Sequence, residues 1–237
     1  MSSHKALTGV YNYVEFKEET IVERVKKMVN LRDEVDVENA HVKFSYGNRK
    51  TGNLVPSVSM IPIHDCGSNC GACAKGCYAV RNICCYDATR RMLANNSAIY
   101  AADPERYFSE IEYEVKYRSF FRYHVSGDIK DRYYLSQMAR IARAVPTCKF
   151  LAFTKMFGLV NEWIHENGDL PSNLHIIFSE WRGLDVPNPH NLPTSRPVWP
   201  GEKVDGIWCG GNCTKCAKAG CGCWSLKPGD RILFEAH

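Results

Sequence analysis

The chain has 237 residues, of which 45% are hydrophobic, and this is enough to bury a core without crosslinks. Its 12 cysteines therefore require an explanation other than the disulfide framework of a small secreted scaffold. The net charge of +4 and the pI of 8.4 lie below the strongly basic range of dedicated nucleic-acid-binding domains, so they neither require nor exclude a nucleic-acid partner.

The compartment is predicted from two missing features of the sequence. The N-terminal stretch MSSHKALTGVYNYVEFKEE has no apolar run of signal-peptide type. No stretch of about 18 apolar residues predicts a membrane span. We therefore expect a cytoplasmic protein without a membrane partner, in which clustered cysteines indicate metal or redox chemistry.

The N-terminal part of the chain predicts one helix and two strands. Within residues 14–35, apolar side chains between Ile21 and Leu31 recur at helical spacing, with charges between them. Residues 41–46 alternate in the manner of a short strand. Residues 55–63 predict a second strand, which leads directly into a cysteine cluster.

From residue 86 onwards, predicted helices and strands alternate. Helices are predicted at residues 86–100, 104–117, 131–144 and 159–166, and strands at 120–125, 149–154 and 175–179. Asp103 is the expected N-cap of the second of these helices, with Pro104 in its first position. This alternation predicts βαβ units in an α/β fold, either an open parallel sheet or a partial (β/α) barrel.

The expected organisation is a single α/β domain over residues 1–237. Residues 1–54 would form an N-terminal helical and strand extension, and residues 55–181 the βα core with the first cysteine cluster. Residues 182–237 would form a proline-rich loop followed by the C-terminal cysteine cluster. The loop is predicted over residues 182–206 from Pro187, Pro189, Pro193, Pro197 and Pro200.

Nine of the cysteines fall in two glycine-rich stretches, which we name the first cysteine segment (residues 66–77) and the second cysteine segment (residues 209–223). The first has the spacing C-x3-C-x2-C-x3-C, and the second has C-x3-C-x2-C-x4-C-x-C. The predicted metal ligands are Cys66, Cys70, Cys73, Cys77, Cys209, Cys213, Cys216, Cys221 and Cys223.

This spacing favours iron–sulfur clusters, because one tight loop can bring thiolates to several irons, and soft thiolates suit such clusters or zinc. Two [4Fe–4S] clusters or one larger assembly fit the count, and Cys77 or a late cysteine of the second segment could cross over between clusters. Structural zinc usually takes separated C-x2-C pairs, and it stays as the alternative. Cys84 or Cys85 is a candidate extra ligand, whereas Cys148 is interpreted as a buried hydrophobe.

Several polar residues directly follow predicted parallel strands, whose ends meet at one edge of a sheet. We expect them to share one mouth with the first cysteine segment and to contact a cofactor or substrate there. A structural turn, a surface lysine and an ion pair at the rim are the competing interpretations. The candidate cofactor-binding residues are His124, Ser126, Gly127, Asp128, Lys155 and Glu180.

The C-x3-C-x2-C spacing after an early strand and ahead of βα repeats resembles the radical S-adenosylmethionine (SAM) superfamily. That resemblance implies a [4Fe–4S] cluster on Cys66, Cys70 and Cys73 with an open iron that binds SAM. The sequence departs from the superfamily at residue 72, which is Ala rather than aromatic, and at Cys77, which stands close enough to take the open iron.

A second resemblance rests on the stretch RYHVSGD at residues 122–128 followed by a helix, and on FLAFTK at residues 150–155. Together with the pair Cys77-Tyr78 and the cysteine-rich C-terminal segment, these stretches resemble the gene-product-88-like family of cysteine-rich phage proteins. The resemblance covers roughly residues 50–223. It implies a phage or prophage origin, the bacterial host cytoplasm and metal binding, but no particular reaction.

Three functions follow as hypotheses, and whether the protein is an enzyme stays open among them. The first is an iron–sulfur protein for electron transfer, redox sensing or regulation, with a redox partner or a host or phage protein. The second is a radical-SAM-type enzyme with an open-iron cluster. The third is a zinc-stabilised module that binds nucleic acid or protein.

Overall fold

The computed structural model describes residues 15–47, 52–82 and 86–236. Within these ranges, seven strands form one sheet in which every neighbouring pair is parallel, in the order β1-β2-β3-β4-β5-β7-β6. The α/β class with a parallel sheet is confirmed, and the sheet is open, with β1 and β6 at its edges. The strands are β1 (Ser57–Val58), β2 (Phe120–Tyr123), β3 (Lys149–Thr154), β4 (Leu174–Ser179), β5 (Thr194–Val198), β6 (Ile207–Trp208) and β7 (Arg231–Glu235).

Seven α-helices lie in the described ranges, and all five expected helices are among them. Four aromatic residues of the strands, Phe121, Tyr123, Phe150 and Phe178, pack against four of these helices on one side of the sheet, which we call the helical face. The helices are α1 (Glu18–Asp33), α2 (Tyr78–Asn82), α3 (Asp87–Ala102), α4 (Pro104–Val115), α5 (Arg132–Ala144), α6 (Phe157–Asn167) and α7 (Cys213–Ala219). The helical face is covered by α3, α4, α5 and α6. No helix among the described residues has both the length and the apolar character needed to cross a membrane.

Capping residues fix where the helices of this face begin. The Asp103 carboxylate accepts a hydrogen bond from the Arg106 N–H at 2.9 Å, and Pro104 is the first residue of α4, as predicted. Asp131 caps α5 in the same way through the Tyr134 N–H at 2.8 Å. Each cap satisfies a backbone donor that the first turn of a helix leaves without an internal partner.

Two strand predictions near the N-terminus are wrong in extent. Of residues 55–63 only β1 is regular, because β2 ends at Tyr123 and leaves the following residues without a strand to pair with. Pro56 and Pro62 also lack the N–H that a longer ladder requires. Of residues 41–46, only Ser45 forms a bridge, which is antiparallel, to Ser57.

The loop prediction over residues 182–206 is also wrong in part, because β5 lies inside it. Pro197 belongs to this strand, although proline is rare inside sheets. The register explains this: β4 pairs with β5 only at Thr194 and Ser195, so Pro197 lies beyond the end of β4 and breaks no bond on that side. The second half of the sheet therefore comes from residues that the sequence assigned to a loop and a cysteine cluster.

The other face of the sheet is covered differently. Leu151 and Ile177 point away from the helical face and pack with Ala217 and Trp224 of the C-terminal part. The second cysteine segment thus lies across this face, which we call the cysteine face. This placement brings the segment to the side of the sheet where the strands β2 to β4 present their remaining side chains.

Candidate functional site

A cavity of about 430 Å³ lies on the cysteine face and is bordered by both cysteine segments. All four cysteines of the first segment line it, together with Cys209, Cys213, Cys216 and Cys223 of the second. Cys221 is exposed and does not contribute to the lining. The cavity therefore collects eight thiols from two stretches that are far apart in the sequence.

The same cavity is lined by all six residues predicted to contact a cofactor or substrate: His124, Ser126, Gly127, Asp128, Lys155 and Glu180. The expectation that these residues share one mouth with the first cysteine segment thus agrees with the structure. Their role toward a cofactor is a separate matter and stays a prediction.

The first cysteine segment folds into two short 3-10 turns, Ser68–Ala72 and Ala74–Gly76, around a buried thiol. Cys70 is buried, and its thiol is in hydrogen-bonding contact with the thiols of Cys66 and Cys73. These contacts raise the pKa of Cys70 and, because Cys73 accepts from Cys70, lower the pKa of Cys73 to about 6, with Lys155 adding to the effect. The segment therefore favours a thiolate at Cys73 near neutral pH.

A backbone N–H group just before the first cysteine segment donates a hydrogen bond to a cysteine sulfur. The Ile63 N–H donates to Cys66 Sγ at 3.1 Å. Gly67 has φ +71, and a Cβ there would come within 2.4 Å of Met156 Sδ, so the turn requires glycine. Asp65 stabilises the turn by accepting hydrogen bonds from the Ile61 N–H and the Lys130 ammonium, both at 2.9 Å.

Cys77 has different surroundings from the other three thiols of its segment. It packs against a small apolar cluster that includes Met28, Ile61 and Leu93. Burial raises the pKa of Cys77 to about 12. The neighbouring Tyr78 hydroxyl donates to the Val125 carbonyl, which ties the end of the segment to the loop after β2.

The second cysteine segment is built on regular structure. The Cys209 N–H donates to the Leu233 carbonyl at 2.9 Å, so the segment starts as an extension of the sheet. The Gly211 N–H donates to Cys209 Sγ at 3.4 Å, which repeats the N–H to sulfur contact of the first segment. Helix α7 follows, with Asn212 as its N-cap and Gly220 at φ +60 just beyond its end.

Two thiols of the second segment, Cys216 and Cys223, have pKa values shifted in the opposite direction from that of Cys73. Burial raises the pKa of Cys216 to about 11, with the neighbouring Cys221 adding to the rise, and raises the pKa of Cys223 to about 12. Trp224, which is 2% exposed, anchors the end of the segment, and its ring meets Phe120 of β2 edge to face at 5.0 Å. Apolar packing rather than thiol contacts thus holds this segment on the sheet.

Asp128 and its neighbours close the ends of β2 and β3. The buried Asp128 carboxylate accepts from the Ile129 N–H at 2.7 Å, the Thr154 hydroxyl at 2.5 Å and the Lys155 N–H at 2.9 Å. Burial raises the pKa of Asp128 to about 6 in spite of these donors. The three contacts occupy the carboxylate, so Asp128 acts as the link between two strand ends.

Lys155 and Glu180 lie at the rim of the cavity. The Lys155 ammonium donates to Ser179 Oγ at 3.3 Å and lies 5.8 Å from the centre of the Trp181 ring. Glu180 forms an ion pair at the rim with Arg231 at 2.8 Å, whereas Arg182, two residues further along the chain, pairs with Glu202.

His124 and Arg122 carry the unsatisfied polar atoms of the cavity. His124 is 3% exposed, has φ +55, and its Nε2 lies 2.9 Å from the Tyr134 hydroxyl, while its Nδ1 has no hydrogen-bond partner. Burial lowers the pKa of His124 to about 3, so the ring is neutral. The Arg122 guanidinium lies over the Phe153 ring at 5.0 Å, and its buried Nε also lacks a partner.

Arg122 was not selected from the sequence, although a signal was present. In the strand Phe120–Tyr123 the side chains alternate, so Arg122 points to the face opposite the buried Phe121 and Tyr123. A charged residue in the middle of a parallel strand, whose two faces are usually both covered, indicates a site rather than solvent. The cysteines of the site were found by their spacing, and the other predicted site residues by their position at or after strand ends.

The thiols suit soft metal ions in type and number, since ten cysteines of the described ranges are free of disulfides. In residues 15–47, 52–82 and 86–236, however, no three Cys, His, Asp or Glu side chains are arranged to hold a single metal ion. Cys148 is fully buried in the core of the helical face, as interpreted from the sequence. Cys84 and Cys85 lie outside the described residues.

Comparison with known proteins gives one family and no closer relative. The family model for gene product 88 matches residues 24–205, which begin inside α1, extend past β5 and stop before the second cysteine segment. No curated protein and no solved structure matches the chain. The resemblance to the radical SAM superfamily is therefore left without support from these comparisons.

Proposed function

The chain belongs to the gene product 88 family, and from that premise we propose that it is an iron–sulfur protein whose two cysteine segments bind clusters in one cavity. The observation that carries the proposal is the convergence of eight thiols on that cavity. The proposal rests on the soft thiolate donors and on their convergence in one cavity, because among the described residues the thiols are not already arranged as a ligand set for one metal ion. Two [4Fe–4S] clusters or one larger assembly are the cofactors proposed.

The surroundings of the thiols support the proposal. Backbone donors at Ile63 and Gly211 point at Cys66 and Cys209, and such N–H to sulfur bonds stabilise the negative charge of thiolate-bound clusters. Apolar walls at Leu151, Phe153 and Trp224 limit the access of water. When bound, a cluster supplies one-electron redox chemistry, and Arg122 and Lys155 on the cavity wall offer positive charge toward it.

A redox or regulatory role follows more readily than catalysis, because each segment offers at least four thiols, enough to close a cluster completely. The partner would be a redox protein or another phage or host protein in the bacterial cytoplasm. This assignment rests on thiol number, and it predicts that the clusters exchange electrons without binding a substrate at iron.

The decisive experiment is anaerobic purification of the full chain, followed by iron and sulfide analysis and electron paramagnetic resonance. We expect a brown protein, with Cys70→Ala and Cys213→Ala each losing about half of the iron if two clusters are separate, and most of it if one assembly bridges the segments. Cys148→Ala, a buried cysteine away from the cavity, is the matched control and should keep its iron.

Two results would contradict the proposal. Native material without iron and sulfide, prepared without air, would end it, and a colourless protein that contains zinc would favour the zinc-stabilised module instead. A fully iron-loaded Cys70→Ala variant of unchanged stability would show that the first segment is not a ligand set.

A second candidate, a SAM-cleaving enzyme, is favoured by one observation. Cys77 packs against an apolar cluster, whereas the thiols of Cys66, Cys70 and Cys73 contact one another, so the segment could leave one iron without a thiolate. Incubation of the reduced, iron-loaded protein with SAM tests this candidate through the formation of 5′-deoxyadenosine. Absence of both SAM binding and cleavage would remove it and leave the redox role.

A further inference from the structure

Two buried hydrogen-bond donors of the cavity have no acceptor within the described chain. The Nε of Arg122 and the Nδ1 of His124 are both buried without a partner, and both residues line the cavity. They stand two positions apart at the end of β2. Buried polar groups are nearly always paired in folded proteins, so two orphaned groups at one site indicate a missing acceptor.

The hydrogen-bond chain behind His124 determines which proton its ring carries. Its Nε2 lies 2.9 Å from the Tyr134 hydroxyl, which lies 3.2 Å from the Tyr107 hydroxyl. If Tyr107 donates to Tyr134 and Tyr134 donates to Nε2, both hydroxyl protons are used and Nδ1 carries the ring proton. The reverse direction leaves the buried Tyr107 proton without an acceptor and Nδ1 without a donor. The first arrangement leaves fewer orphaned groups, so Nδ1–H is a buried donor without an acceptor in a residue that lines the cavity.

The charge of Arg122 has no counterion among the residues that the structure describes. No carboxylate among the described residues forms an ion pair with it. Two of the three carboxylates that line the cavity are occupied, since Glu180 is paired with Arg231 and Asp128 accepts three hydrogen bonds from neighbours. A half-buried guanidinium without a counterion is unfavourable unless an anion enters from outside.

We propose that the cavity binds the carboxylate of a small organic acid, with Arg122 Nε–H and His124 Nδ1–H as its donors. One carboxylate has two oxygens and can accept both hydrogen bonds while it neutralises the guanidinium. The remainder of the ligand is apolar, because Leu151, Phe153 and Trp224 line the adjoining wall. This site does not require iron, so it goes beyond the proposed function and can stand without it.

The test is calorimetric titration of the full chain, purified without air, with benzoate and with benzamide. The two probes share their shape but differ in charge, and chloride keeps the ionic strength constant. We expect one benzoate per chain and at least about tenfold weaker binding of benzamide, because only the carboxylate accepts from Arg122 as an anion. Equal binding of both probes, or binding of neither, would overturn the proposal.

Variants assign the effect to the named donors. Arg122→Gln should weaken benzoate binding by about tenfold or more and remove the preference over benzamide. Arg140→Gln removes the same charge from α5, where Arg140 pairs with Glu112 on the surface, and should leave binding unchanged. An Arg122→Gln variant with unchanged benzoate affinity would overturn the proposal even if its fold is intact by circular dichroism.

A separate outcome concerns the clusters. If the iron-loaded protein binds no benzoate and Arg122→Gln shifts its reduction potential, the missing acceptor is the cluster and the carboxylate site is refuted. If a chain without iron and sulfide binds benzoate in an Arg122-dependent way, the carboxylate site stands and the iron–sulfur proposal falls.

Discussion

The two cysteine segments open with the same C-x3-C-x2-C spacing but fold differently. The first consists of two 3-10 turns without side-chain caps, and its thiols Cys66, Cys70 and Cys73 contact one another. The second continues from the sheet, forms the capped helix α7 and is anchored by Trp224. Cysteine spacing therefore does not determine local structure here, and the context of each segment does.

The difference indicates how each segment acquires its order. Apolar contacts with the sheet and a capped helix order the second segment independently of any ligand. The first has no capped helix, and three of its thiols contact one another, so a bound group would contribute a larger share of its order. The following predictions test this contrast.

The largest effect is expected for Trp224→Ala. Because Trp224 is 2% exposed and packs against Phe120, its removal should lower the free energy of unfolding of the metal-free chain by about 3–5 kcal/mol. Urea denaturation of the reduced, chelated protein measures this. Tyr117→Ala, at an 88% exposed position, is the control and should change stability by less than about 0.5 kcal/mol. A small effect of Trp224→Ala would show that the second segment is not anchored by packing.

Removal of bound metal should affect the two segments unequally. A ligand bound at about 100 times its dissociation constant contributes about 2.7 kcal/mol, which corresponds to roughly a hundredfold in amide exchange. After anaerobic chelation we expect protection from amide exchange to fall by about this factor around the 3-10 turns of residues 68–76. In α7 it should fall by a clearly smaller factor. Hydrogen exchange with mass spectrometry resolves the two. Equal losses would break the contrast between the segments.

Thiol reactivity should differ between the segments in the metal-free, reduced chain. Since the pKa of Cys73 is lowered to about 6 and that of Cys216 is raised to about 11, Cys73 is largely thiolate at pH 7 and Cys216 is not. Iodoacetamide should modify Cys73 at least about tenfold faster, with a rate that falls as the pH drops through about 6. Peptide mapping measures both rates. Lys155→Gln should raise the pKa of Cys73 and move its profile to higher pH, whereas Lys218→Gln on α7 should not.

The smallest effect concerns the cap of α7. Asn212→Ala removes the side-chain acceptor for the Lys215 N–H, and it should cost about 1 kcal/mol in the local stability of the helix. Amide exchange in α7 should rise by about fivefold, while the first segment, which has no such cap, stays unchanged. A rise in both segments would show that they open together.

Much of the fold could be predicted from the sequence because local signals agreed with the tertiary structure. The alternation of helical and strand periodicity along residues 86–179 predicted β2, β3 and β4 and their helices. Strand β3 begins and ends where the run KFLAFT does. The cap at Asp103 was predictable for the same reason, since it depends on adjacent residues only. The shared mouth followed from the rule that parallel strands end at one edge.

What could not be predicted depends on pairing between distant residues. β5 contains Pro197 and is a strand only because β7 pairs along its whole length. β7 itself is a short run after a cysteine cluster and carries no helix that would mark a βαβ unit. The unpaired buried donors of Arg122 and His124 were equally unpredictable, because such atoms are defined by the absence of partners from other described parts of the chain.

The position of β7 has a consequence for biosynthesis. It is the last strand in chain order, yet it is inserted between β5 and β6, and its Leu233 carbonyl receives the first N–H of the second cysteine segment. On the ribosome, the first segment therefore emerges long before the wall opposite it can form. A cofactor that joins both walls can be completed only after translation has passed Glu235, whereas one confined to residues 66–77 can be loaded on the nascent chain.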